Sequence, residues 1–101
     1  MRNILIIDDV KEQAEGLAKA LSKVMPDISF DYEFSQEGII DAVENRFFSV
    51  AIVDIRMDPY EFNGIDIINK IFEINPFAKI LIVSAFKDEY ILKLKDLLLS
   101  G

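Results

Sequence analysis

The sequence contains no cysteine, no histidine and no tryptophan. Without cysteine there is neither a disulfide framework nor a thiolate metal site. Without histidine, Ser-His-Asp and Cys-His catalysis within the chain are excluded, and so is a histidine-ligated metal. Basic residues are outnumbered, 11 Lys and Arg against 18 Asp and Glu, for a net charge of -7. An acidic chain is repelled by phosphate backbones and anionic lipid, which argues against direct binding to nucleic acid or membrane. No apolar run approaches the roughly 18 residues of a membrane span. The apolar start at residues 4–7 is too short for a signal-peptide core and runs into acids. Repeats, low-complexity tracts and linkers are absent, as are the nucleotide-binding patterns GxxxxGK[ST] and GxGxxG. A cytoplasmic location is therefore the expectation.

What remains is 101 residues, enough for one domain, with 51% hydrophobic residues to supply a core. Apolar runs alternate with amphipathic segments. Residues 4–7 ("ILII") read as a first strand. Val10, Ala14, Leu17, Ala18, Leu21, Val24 and Met25 follow at helical spacing, up to Pro26-Asp27. "ISFDYEF", 28–34, alternates, and its Asp31 and Glu33 suit a strand near a sheet edge. Ser35 can cap a helix that buries Ile39, Ile40 and Val43. "VAIVD", 50–54, and "KILIVSA", 79–85, are near-continuous apolar runs, as in parallel strands buried on both faces. Between them Asn63 is expected to cap a helix carrying Ile67, Ile68, Ile71 and Phe72. After them Asp88 is expected to cap a last helix that runs to Ser100, with Gly101 at its end. The βα alternation predicts an α/β fold, a doubly wound parallel sheet of order 2-1-3-4.

In that order, direction reverses between the first and third strands, and ligands bind beyond the carboxyl ends of strands at such a switch point. Asp8 and Asp9 end the first strand, Asp54 the third, and Ser84 the fourth. Taken singly, the acid pair could merely cap a helix, Asp54 could close a turn, and Ser84 could close a strand. Together they describe a site. Carboxylates held close oppose one another's ionisation, and a cation among them resolves the conflict. Oxygen-only ligands select Mg²⁺ or Mn²⁺ over zinc. Such a centre suits phosphoryl transfer.

At these residues the sequence resembles the receiver domain of two-component response regulators. The match lies in "ILIIDD", "AIVDIRM" with Asp54, Gly64, and "ILIVSA" with Ser84. The resemblance implies a flavodoxin-like fold over residues 1–101, shortened before the usual fifth strand and helix. It implies that Asp54 is the phosphoacceptor, served by a histidine kinase or phosphotransfer protein. Asp9 would ligate Mg²⁺ (or Mn²⁺) directly and Asp8 mostly through water, and the Arg56 carbonyl would be a further ligand. Ser84 would bond the phosphoryl group and pass its presence to the last helix. The chain would be a signalling module rather than an enzyme, with output through protein contact.

Two departures stand out. The loop between Asp54 and Gly64 is longer than the family's, with Asp58 before Pro59 and expected to face solvent. The fifth-strand lysine has no counterpart, and Lys87 reads as a surface lysine. The last helix is apolar at Ile91, Leu92, Leu94, Leu97, Leu98 and Leu99, more than one stripe. Self-association through the fourth strand and last helix is therefore expected, as a homodimer. Two functional readings follow: a phosphoacceptor in a relay, or a receiver-like interaction module that works without phosphorylation. An aspartyl phosphatase is disfavoured, because position 56, where a second acid is needed, is Arg.

Overall fold

Each of the four apolar runs is a strand, and a helix follows each. The computed structural model describes residues 3–54, 64–83 and 91–100. The order is β1 (Asn3–Ile7), α1 (Lys11–Val24), β2 (Ser29–Glu33), α2 (Gln36–Asn45), β3 (Val50–Asp54), α3 (Gly64–Ile74), β4 (Lys79–Val83) and α4 (Ile91–Ser100). The strands form one parallel sheet in the order β2-β1-β3-β4, as the sequence predicts. Ile7 pairs with Val53, and Asp54 with Val83, so the chain leaves β1, β3 and β4 at one rim.

Alternate residues of the central strands feed two cores. Ile4, Ile6, Val50 and Ile52 pack with Ala14, Leu17 and Leu21 of α1 and with Leu94 and Leu98 of α4. Leu5, Ile7, Ala51 and Val53 pack with Ile39 and Val43 of α2 and Ile67 and Ile71 of α3. Two helices thus cover each face. A right-handed connection from β4 to a parallel strand outside it would place its helix on the α2–α3 face. Instead, α4 lies on the α1 face.

Several local expectations change. Val10 is the N-cap of α1 and 40% exposed, because the helical stripe begins one turn later, at Ala14. Phe72 is 41% exposed, since only Ile67 and Ile71 point squarely at the sheet. β4 spans 79–83 and is only partly buried: it is the last strand of the sheet, and Ile82 is 56% exposed. The expected caps Asn63 and Asp88, together with Asp58 and Lys87, lie outside the described residues.

The cap of α2 forms as expected. The Gly38 amide donates to Ser35 Oγ at 3.0 Å, with Ser35 in an extended conformation. Replacing Ser35 by Ala leaves that amide without its side-chain acceptor, and the expected cost is about 1 kcal/mol. A urea titration would read this as a lower midpoint with an unchanged slope.

Candidate functional site

Asp8 follows the last residue of β1 and Asp54 is the last residue of β3, and these two strands are hydrogen-bonded neighbours. Both carboxylates therefore emerge at the carboxyl rim, on either side of the switch point. Among the described residues, Asp8, Asp9 and Asp54 form a group in which one carboxylate oxygen from each lies within 4.8 Å of the others. Asp8 is only 5% exposed and Asp54 only 7%, the two buried polar residues among the described residues. Asp9 is half-buried.

Asp8 also does the bland job that its position allowed. Its Oδ1 accepts from the Val10 amide at 2.9 Å, just ahead of α1, whose N-cap Val10 has no capping side chain. Its own amide donates to the Glu33 carbonyl at 3.2 Å, which ties the rim to the end of β2. The sequence set helix-capping against site membership; Asp8 instead closes the turn before α1 and lies in the carboxylate group with Asp9 and Asp54.

The electrostatics follow from this crowding. Burial pushes the Asp8 carboxyl up from 3.8 to about 6, and the nearby charges of Asp54 and Asp9 and a hydrogen bond with Asp9 add to the rise. The Val10 amide opposes it, because a donated hydrogen bond favours the carboxylate. A group so placed gains most from a cation. The donor set is all oxygen, the ligand type that hard divalent ions take. The residues present therefore fit Mg²⁺ or Mn²⁺.

Ser84 and the carbonyl of Arg56, the other two site residues expected from sequence, lie outside the described residues. Two pairings between elements were not anticipated. Lys11, which opens α1, holds its ammonium 5.6 Å from the centre of the Phe34 ring, just past β2. Arg46, beyond the end of α2, reaches Glu33 at 2.7 Å. Neither pairing has a local sequence signal, since each joins residues more than ten apart on different elements. Two apolar cavities, of about 150 and 220 Å³, are lined by the last turns of α2 and α3 and of α1 and α4. Those turns are at the opposite end of the sheet from the acids, and the cavities have no part in the site.

The sequence matches the response regulator receiver domain family over residues 4–97. Among curated proteins nothing matches it. Solved structures do. The response regulator TrrA from Thermotoga maritima, in complex with Mg²⁺-BeF, superposes with a TM-score of 0.74 at 22% identity, covering 96% of this chain and 99% of that one. A CheY-like receiver domain protein from Methanospirillum hungatei JF-1 gives 0.74 at 15% identity, covering 99% and 95%. A complex of the histidine kinase ThkA with TrrA gives 0.71 at 23% identity, covering 86% of this chain and 72% of the matched one. In a chain fused to the yeast Spc42 coiled coil, the match spans 60% of that chain's length.

Proposed function

The chain belongs to the response regulator receiver domain family, and from that membership we propose that it is a phosphoacceptor: a signalling module that takes a phosphoryl group onto Asp54. The observation that carries this reading is the convergence of the Asp8, Asp9 and Asp54 carboxylates within 4.8 Å at the switch point of the sheet. Asp54 sits at the end of a fully buried strand, so its carboxylate is held rigidly at the rim. In the transfer, an Asp54 oxygen forms a bond to phosphorus. The P–N bond of a phosphohistidine on the donor breaks, and its electron pair returns to the imidazole. These 101 residues contain no histidine, so the donor imidazole lies outside them. TrrA, similar to this chain, forms a complex with a histidine kinase, and by that likeness the donor is a histidine kinase or a phosphotransfer protein.

Asp9 and Asp54 would hold a divalent ion, with Asp8 contributing chiefly through water and the Arg56 carbonyl as a further ligand. Mg²⁺, when bound, offsets the negative charge that gathers on the phosphoryl oxygens. Ser84 donates its hydroxyl to one of those oxygens. The fold relatives include TrrA with Mg²⁺-BeF, which fits this assignment. The output is contact with another protein.

The test is incubation with a small-molecule phosphodonor, with Mg²⁺ and with a chelator, followed by intact mass. One added phosphoryl group in Mg²⁺, and none with chelator, is the expected result. No addition in either, under conditions that modify a full-length receiver, would favour an interaction module that works without phosphorylation.

A further inference from the structure

The last strand of the sheet is built like an interior one. β4 reads "KILIV", with Ile80 packed on the α2–α3 core and Leu81 and Val83 on the α1–α4 core. Those apolar residues on both faces match the helices that cover them; what the strand lacks is any charge after its first residue to guard its outer edge. β2, at the other end of the sheet, carries Asp31 and Glu33 in five residues, the ordinary way to guard an edge. β4 has a single charge, Lys79, at its start. Among the described residues no strand pairs with its outer side, and Ile82 is 56% exposed there.

The flanking helices continue the apolar surface. Lys70 of α3 pairs with Glu44 of α2 at 3.2 Å, and Ile74 lines a cavity with α2 residues, so that flank faces α2. By helical spacing, Ile65 and Phe72, both exposed, lie on the other flank, on the β4 side. Lys95 and Leu99 of α4 line a cavity with Val24 and Met25 of α1, which leaves exposed Leu97 on the flank away from α1. The open edge is thus framed by an apolar helix flank above and below.

Two observations choose the occupant. First, α4 crosses to the α1 face, so the helix after β4 does not lead by a right-handed connection to a strand outside β4. Second, in a chain of net charge -7, the described residues of β4 and α4 carry Lys79, Lys93 and Lys95 against Asp96 alone. Copies of an acidic chain repel least where their surfaces are least acidic.

We propose that two copies of this chain pair through β4, antiparallel about a twofold axis normal to the sheet, joining four strands from each into one continuous sheet. Each copy's β4 pairs its open outer side with that of the other. The axis sets α4 beside the partner's α4 on one face and α3 beside the partner's α3 on the other, covering Leu97, Ile65 and Phe72. The interface is isologous and closed, so it ends at a dimer. It stands apart from the phosphoacceptor reading and needs neither metal nor phosphodonor.

Sedimentation equilibrium of the 101-residue chain, without Mg²⁺, tests it. The expected mass moves with concentration from 11.5 kDa toward twice that value. Ile82→Lys removes little packing within the monomer, because the residue is 56% exposed and belongs to neither core, and adds a charge at the centre of the joint. It should raise the dimer dissociation constant by about tenfold or more and leave the far-UV circular dichroism unchanged. Amide exchange at residues 80–83 should slow with concentration in the wild type and not in the variant. Asp54→Asn should dimerise like the wild type, which separates this result from any failure of phosphorylation. A monomer at every concentration, or a dimer indifferent to Ile82→Lys, would overturn the proposal.

Discussion

Asp8→Asn is expected to stabilise the metal-free protein by about 3 kcal/mol at pH 8, a rise in melting temperature of roughly 10 °C or more for a domain this small. In the native state, burial and the charges of Asp54 and Asp9 hold the Asp8 carboxyl at about 6 against an ordinary 3.8. Between those values the folded chain binds a proton that the unfolded chain has released. Stability therefore falls as pH rises through that window, and the penalty is present in full above it. Asn keeps the shape, and its oxygen still accepts from the Val10 amide. It never ionises, so the penalty disappears. Thermal melts of both proteins from pH 4 to 8, with chelator present, should converge at the acid end and separate as pH rises.

Saturating Mg²⁺ should reverse the order, because the wild type then gains binding free energy that the variant has largely lost. Equal melting temperatures for the two proteins at pH 8, metal-free, would show that Asp8 is not under electrostatic strain.

The second large effect is on chemistry. Asp54→Asn should take up no phosphoryl group under conditions that modify the wild type, since the amide oxygen is a poor nucleophile and the amide weakens the metal centre. Asp54 is buried at the end of β3 beside β1, so an isosteric change leaves the sheet intact. The variant also carries an internal check that the protein is folded. The Asp54 charge is one of the causes that raise the Asp8 pKa, so removing it should move the pH midpoint of stability downward. A variant that loses phosphorylation and shows that shift has lost the acceptor and kept the site. Undiminished uptake would place the phosphoryl group elsewhere.

Much of this architecture was legible in the sequence because burial writes directly into residue type. Residues 50–54 are apolar up to Asp54 since β3 lies between β1 and β4 under helices on both faces. Asp31 and Glu33 marked β2 as an edge, and Ser35 marked the start of α2. The acid pair and Asp54 were legible as a site because strand ends in a doubly wound sheet share one rim, whatever the intervening chain does.

Other features depended on distances between elements that no local pattern encodes. The order 2-1-3-4 already put β4 last in the sheet, but its continuous apolar run suggested a fully buried strand, and Ile82 is instead 56% exposed. The last helix is apolar over more than one stripe, so its periodicity could not choose a face. Packing of Leu94 and Leu98 against the α1 core chose it. The dual part of Asp8, capping a turn while strained by Asp54, arises from residues 46 positions apart brought to neighbouring strand ends. Sequence determined which residues would be buried and which acids would meet. Tertiary structure decided how closely they meet, because side-chain charge is felt over a few ångströms and only the folded sheet sets that spacing.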